Sequence, residues 1–420
     1  MNLLKTSALN GIAVVIKMLT LLGINKVLAI YVGPAGYAAI GQFQNAVQMI
    51  TTFASGAINT GVTKYTAEYQ EQPQEQYKVW RTAFAVSLLG ALLAAVLIVV
   101  FNQYLAVWIL KDEALGDVFI WFAATLVFFT LNALLLAVLN GKKEIVRYVV
   151  ANIAGSLFAL LVTVLMTMSL GLYGALVALA VYQSLSFFVT VVLCLRSSWF
   201  RWQHFIGRVE RSAFVKLSNY TLMALTSAIC VPLSHMYVRQ YLGDNFSWVE
   251  AGYWEAMWRM SAAYLLLVTT TLSVYLLPRL SALQEKGEIR KELLSVFKLM
   301  LPVTAAGCAL IYLFRDLVIA LLFSKEFMPV GDLFLWQLVG DFLKIAGWAM
   351  AYLMLSKPMV KTYVATEVLF SLSFYLLTVV LTKKFGFSGV ALAHAVNYLV
   401  YLVVMYVVIF KIYLRTDRES

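Results

Sequence analysis

The stretch Gly171-Leu172-Tyr173-Gly174-Ala175-Leu176-Val177-Ala178 returns 215 residues later as Gly386-Phe387-Ser388-Gly389-Val390-Ala391-Leu392-Ala393. Each stands at a junction between two long apolar segments. Lys142 and Tyr148 match Lys357 and Tyr363 at the same offset, and Ala35-Gly36-Tyr37 matches Ala251-Gly252-Tyr253 at 216. One such match is weak, because Gly and Ala are common here. A shared offset at separate places argues for an internal repeat. The material repeated is membrane-like. Of 420 residues, 62% are hydrophobic and 13% charged, and the mean hydropathy is +0.84. Soluble domains carry about 25% charged and roughly 45–50% apolar residues. An ordinary soluble enzyme, a disordered chain and a disulfide-stapled secreted module are therefore excluded.

Working outward, twelve apolar spans are expected at about 7–31, 37–66, 82–108, 118–140, 147–169, 172–195, 217–241, 250–277, 296–314, 332–355, 361–382 and 388–411. Each suits a hydrocarbon core of roughly 30 Å. No cleavable signal peptide is read at the N-terminus. The segment 317–323 after Arg315-Asp316 reads as short and interfacial. Lys and Arg crowd one set of loops, with Lys142, Lys143 and Arg147, then Arg196, Arg201, Arg208, Arg211 and Lys216, then Arg279, Lys286, Arg290 and Lys291. The opposite set holds only Lys111, Arg315, Lys325, Lys383 and Lys384. The positive-inside rule then places both termini in the cytoplasm.

The expected fold is an all-α integral membrane protein, with twelve transmembrane helices in two six-helix bundles. Six spans per half is an even number, so both halves insert the same way and the pseudo-two-fold repeat is parallel. Residues 1–195 form the N-terminal bundle, 196–216 a cytoplasmic linker and 217–420 the C-terminal bundle. Loops are short, and neither a Walker A motif nor a DxD pair is present. Function must then reside in the spans, which favours a transporter over an enzyme.

The net charge of +11 suits an anionic partner. Nucleic acid is a poor fit, because no soluble module exists to carry it. Cys194, Cys230 and Cys308 lie far apart, and His204, His235 and His394 are not clustered in sequence, so neither a metal site nor a cofactor is expected. The informative charges are those inside spans, where burial costs several kcal/mol and marks functional candidates. The cations are Lys17, Lys26, Arg239, Arg259 and Lys344; the acids are Glu255, Asp341 and Glu367.

Lys17 lies about ten residues into its span, roughly 15 Å deep, too far for easy snorkelling. Lys26 and Arg239 lie nearer the periplasmic end, where snorkelling competes with a ligand role. Glu255 and Arg259 are spaced i,i+4 with the acid first, as a self-neutralised or switchable pair would be. Asp341 and Lys344, at i,i+3, repeat that arrangement. Glu367 has no local cation and could meet Lys361 or Lys344, or carry a proton. Gln42, Asn45 and Gln48 on span 2, with Trp254 and Trp258 on span 8, offer amides and rings to sugars. Helix packing and an interfacial aromatic belt are the plain alternatives. Pro232 should disturb span 7 and free a carbonyl. Spans 1, 2, 7 and 8 taken together are net cationic, which suits an anionic substrate and not a cationic drug.

Several segments resemble the Wzx polysaccharide flippases of the superfamily that includes multidrug extruders and the lipid II flippase. They are Gly61-Val62-Thr63-Lys64-Tyr65, Tyr220-Thr221-Leu222-Met223-Ala224-Leu225, Ser273-Val274-Tyr275-Leu276-Leu277-Pro278 and Asp332 through Lys344. The turn Gly33-Pro34-Ala35-Gly36 and Leu322-Phe323 are similar to the wider superfamily. This resemblance implies a bacterial inner-membrane flippase with a central cationic cavity. It implies an undecaprenyl-diphosphate-linked oligosaccharide as substrate, membrane lipids around it, and a polysaccharide polymerase and chain-length regulator as partners. The expected cargo is an O-antigen-like repeat unit. The alternative is the lipid III carrier of enterobacterial common antigen, and a more distant one is drug extrusion. Lys17, Lys26, Arg239, Arg259, Gln42, Asn45, Gln48, Trp254 and Trp258 would contact substrate. Glu255, Asp341 or Glu367 would couple an ion gradient by antiport.

Overall fold

The computed structural model describes residues 3–357 and 359–414, and the side chains of these except 3–10, 219, 220 and 274. Among the described residues all regular structure is helical. The helices are α1 (Leu3–Tyr31), α2 (Gly33–Ala54), α3 (Asn59–Glu68), α4 (Pro73–Val100), α5 (Asn102–Leu105), α6 (Gly116–Gly141), α7 (Ile145–Leu195), α8 (Arg211–Asn245), α9 (Trp248–Thr271), α10 (Leu277–Ala282), α11 (Lys286–Leu313), α12 (Arg315–Leu322), α13 (Phe334–Ser356), α14 (Val360–Phe385) and α15 (Gly389–Tyr406). Nine helical stretches among the described residues are long and apolar enough to cross a membrane. The helices α2 and α9 are not among them, because amides on α2 and Glu250, Glu255 and Arg259 on α9 lower their hydropathy.

Two expected spans need correction. The span 37–66 is two helices, because Gly56 (φ +65°) and Ala57 (φ +53°) turn the backbone left-handed between α2 and α3. The carbonyl of Gly56 released by this break accepts the Thr221 hydroxyl at 3.1 Å. The span 250–277 stops at Thr271 as α-helix and continues as a π-helical turn, Leu272–Leu276, into α10. The 51-residue α7 is interrupted at Gly171, whose φ of +58° and ψ of −135° are not helical. Gly386 ends α14 with φ +68° and ψ −160°. Beyond each of these, Gly174 and Gly389 press on a carbonyl: a Cβ would lie 1.9 Å from the Met166 oxygen and 2.5 Å from the Leu381 oxygen. The same local turn therefore occurs at both ends of the 215-residue offset, and only Gly fits it. The segment expected to be short after Arg315-Asp316 is the eight-residue α12.

The chain packs as two compact units. Unit 1 takes residues up to Val32 and Ala39–Pro232; unit 2 takes Gly33–Ala38 and Leu233 onward. The division falls inside α8, at Pro232. In unit 1, the stretch 196–216 is packed and not loose. Phe200 and Phe205 are buried, and Phe205 stacks on the buried Trp80 at 5.3 Å between ring centres. Trp80 donates to the Thr66 hydroxyl at 2.9 Å, and Trp199 donates to Glu144 at 2.7 Å. In unit 2, Leu276, Leu280, Leu293, Met350, Met354 and Met405 belong with Tyr401 to one buried core.

Candidate functional site

Unit 2 buries a charge cluster that five helices build from helical spacing alone. On α8, His235 and Arg239 are i,i+4. On α9, Trp254, Trp258 and Ser261 share a face beside Glu255 and Arg259. On α13, Gln337, Asp341, Lys344 and Trp348 form one stripe, and α14 carries Glu367. On α15, His394, Tyr398 and Tyr401 form another stripe. The start of α9 is fixed by Ser247 as N-cap: its hydroxyl accepts the Glu250 backbone N–H at 3.1 Å and donates to the Glu250 carboxylate at 3.0 Å.

Glu255 is the hinge of the first half of the cluster. Its Oε2 accepts Arg239 Nη2 at 2.6 Å, and its Oε1 accepts Arg259 Nε at 2.7 Å. Arg239 is 1% exposed and Arg259 12%. Arg239 lies over the Trp254 ring at 5.5 Å, and Arg259 over Tyr37 at 5.2 Å. Tyr37 reaches Arg259 because α9 lets the start of α2 in. Gly252 touches Pro34 so closely that a Cβ would lie 1.7 Å from the Pro34 oxygen. Arg239 therefore does not snorkel, which the sequence left open, and Glu255 bridges two guanidiniums where one was expected.

Asp341 anchors the second half and is completely buried. Its Oδ2 accepts the Ser261 hydroxyl at 2.6 Å and the Tyr264 hydroxyl, and its Oδ1 faces His394 Nε2 at 3.0 Å. Gln337 donates to Ser261 at 3.2 Å. Gly340 makes room for the imidazole, since a Cβ there would lie 2.2 Å from His394 Cδ2. His394 Nδ1 is buried without a hydrogen-bond partner among the described residues. The expected Asp341–Lys344 ion pair is absent among the described residues. Lys344 instead sits among three rings, 4.4 Å from Trp258, 4.7 Å from Trp348 and 5.2 Å from Tyr398. Both ions face the same interior, but hydroxyls and imidazole reach the carboxylate while rings enclose the ammonium.

Trp258 joins the two halves, with His235 edge-on at 4.1 Å and His394 at 5.4 Å. The two histidines that were separate in sequence thus share one tryptophan. Glu367 is half-buried, bonded to Tyr363 and within the field of Lys344. Taken whole, the buried cluster balances: Arg239, Arg259 and Lys344 stand against Glu255, Asp341 and Glu367. Of the cationic surplus expected for spans 1, 2, 7 and 8, Lys17 and Lys26 supply two charges, and the two arginines around the single Glu255 supply the third.

Those two lysines and the amides belong to unit 1. Lys17 is exposed and Lys26 half-buried. Gln42 is buried, and the half-buried Asn45 donates to the Pro232 carbonyl at 3.3 Å. Gln48 is exposed and lines a cavity with Gln44 and Gln183. Reading the sequence missed His394, Tyr264, Gln337, Trp348 and Tyr398. The α13 stripe carried a usable signal in its spacing; the partners from α9 and α15 carried none. No group of His, Cys, Asp and Glu suited to a metal ion occurs among the described residues.

Comparison with known proteins adds three findings. A model of the family described as polysaccharide biosynthesis protein matches residues 27–331. The lipid III flippase of Escherichia coli (strain K12) is 31% identical over 404 residues, covering 96% of both chains, and that of Shigella flexneri matches equally. Among solved structures, an inward-facing multidrug transporter of the MATE family superposes with TM-score 0.76 at 16% identity, covering 94% of this chain and 93% of that one. The lipid II flippase MurJ, in an inward closed conformation, gives 0.70 at 13% identity over 97% and 87%. The similar solved structures share the fold. With nine membrane-length stretches and these relatives, the chain is a multi-pass membrane protein.

Proposed function

The chain belongs to the polysaccharide biosynthesis protein family, and from that premise we propose that it is a flippase for a lipid-linked oligosaccharide. The observation that carries the proposal is the end-to-end match to lipid III flippases at 31% identity. It favours a lipid III type of cargo over the O-antigen-like unit that the sequence suggested first. The cargo in this reading is a glycan on undecaprenyl diphosphate, carried from the cytoplasmic to the periplasmic leaflet of the bacterial inner membrane.

Twelve spans in two parallel six-helix bundles, 1–195 and 217–420, rock by alternating access, with both termini cytoplasmic. The diphosphate meets Lys17, Lys26 and Arg259, the cluster guanidinium with most access. Arg239 is buried too deeply to touch substrate in this state, and positions Glu255. An incoming anion competes with Glu255 for Arg259, because a guanidinium binds phosphate and carboxylate through the same fork. Substrate arrival and release of the bridge are then one event. Trp258 links this event to Asp341, whose proton partner is His394. These two, with Glu255 and Glu367, are the groups through which an ion gradient resets the carrier. A polymerase and a chain-length regulator act on the product.

Purified protein in liposomes, with the undecaprenyl-diphosphate glycan in one leaflet, tests the proposal. Glycan reaching the far leaflet faster under an inward proton gradient supports flipping and coupling. Movement of cationic drugs without movement of glycan would replace the proposal with drug extrusion.

A further inference from the structure

Unit 1 contains a cavity of about 420 Å³ whose lining is unlike that of the apolar grooves elsewhere on the chain. Its walls come from α2, α6 and α7. Gln44, Gln48 and Thr51 lie on one face of α2, at i, i+4 and i+7; Tyr182 and Gln183 of α7 add polar groups, and Val47, Phe129 and Leu179 supply the apolar part. Polar and apolar surface are present in near-equal measure. Two other cavities, one lined by Ile50, Phe53 and Leu97 and one by Ala305, Leu338 and Phe342, are almost wholly apolar. The three-amide cavity does not suit acyl chains. Amides and a phenol turned to hydrocarbon would each forgo hydrogen bonds at a cost of roughly 1–3 kcal/mol.

The hydrogen bonding leaves specific groups open. Gln183 Nε2 donates to the Tyr182 oxygen at 3.0 Å, which leaves the Tyr182 O–H able to donate and Gln183 Oε1 able to accept. The exposed Gln48 amide offers two donors and an acceptor. The Thr51 hydroxyl is turned back to the Val47 carbonyl at 2.7 Å and adds a methyl to the wall. Among the described lining residues none is charged. Neither a phosphate nor a cationic drug would find a counter-ion there. A neutral ring bearing several hydroxyls fits: planar amides meet neighbouring hydroxyls as donor and acceptor at once, and Phe129 offers an apolar face. The volume lies in the roughly 300–1,000 Å³ range of small-molecule sites.

We propose that Gln44, Gln48, Tyr182 and Gln183, with Phe129, form a subsite for an uncharged sugar of the cargo, separate from the cationic groups that take its diphosphate. The inference rests on the flippase reading and extends it. The subsite selects the glycan, and the cations select the carrier lipid.

The test uses the full-length protein in detergent and two probes: undecaprenyl diphosphate bearing a neutral trisaccharide, and bare undecaprenyl diphosphate. Gln48→Ala and Gln183→Ala each remove a neutral hydrogen-bonding group. Each should weaken binding of the sugared lipid about three- to tenfold and leave the bare lipid unchanged. Tyr182→Phe, which keeps the ring, should behave like the amide variants. Unaltered affinity for the sugared lipid, or equal loss for both lipids, overturns the subsite. So does a cationic dye that binds the wild type and is lost in the variants. Liposome transport separates the two readings. Normal flipping at sub-saturating glycan by all three variants removes the subsite and keeps the flippase. Failure of the wild type to move glycan, with sugar-dependent binding still lost in the variants, removes the flippase and keeps the subsite.

Discussion

Replacing Glu255 with Gln should destabilise unit 2 far more than replacing either arginine it bridges. The carboxylate gives one oxygen to each guanidinium, at 2.6 and 2.7 Å. Removing its charge leaves two cations against each other, one 1% and the other 12% exposed. Breaking a buried pair by removing one partner costs about 3–5 kcal/mol, because an uncompensated charge stays behind. Glu255 serves two partners, so the upper end applies, about 4–5 kcal/mol. For a unit of about 200 residues, at ~2–4 °C per kcal/mol, this is a fall in Tm of ~8–20 °C. Arg259→Ala leaves the Arg239–Glu255 bond in place and removes the more accessible member, so its cost should be about 1–2 kcal/mol. Arg239→Met combined with Glu255→Gln removes the buried cation with its acid and should regain most of the loss. The assay is thermal unfolding of the purified variants in one detergent, read as a double-mutant cycle. Glu255→Gln melting no lower than Arg259→Ala would refute the bridging account. A double variant that loses the sum of the single effects would refute it too.

Other outcomes follow from the same geometry. Lys17→Ala and Arg259→Ala should each abolish glycan transport at normal protein levels, measured by surface polysaccharide and by immunoblot. His394→Gln should still bind glycan yet flip it at a rate indifferent to an imposed proton gradient; a wild-type response in liposomes would remove His394 from coupling. Gly340→Ala drives a methyl into His394 and should cost about 1–3 kcal/mol by overpacking. Melting within a degree of wild type would show that the imidazole has room to retreat. Gly252→Ala leaves no space against the Pro34 carbonyl and should fail to accumulate in membranes, checked by fractionation.

The apolar stretches, the short helix after Arg315-Asp316 and the turn at Gly171 were legible because hydropathy and glycine punctuation are local signals. The Glu255–Arg259 bond was legible because four residues is one helical turn. The break at 55–58 was hidden: one Gly among apolar and hydroxyl residues says little, and Ala57 gives no hint of a left-handed backbone. Arg239 as a second partner of Glu255 was hidden as well, since sequence spacing does not report which helices touch. Asp341 and Lys344 show the error that follows. Their i,i+3 spacing suggests a pair, yet Ser261, Tyr264 and His394 arrive from two other helices and satisfy the acid first.

The cage around Lys344 makes its charge detachable. An ammonium tied to a buried carboxylate cannot leave without orphaning an anion. Here the rings of Trp258, Trp348 and Tyr398 lose only an attractive face when the lysine departs, and Asp341 keeps all its donors. A neutral side chain at 344 breaks no hydrogen bond of Asp341, but it takes the nearby cation from both Asp341 and Glu367.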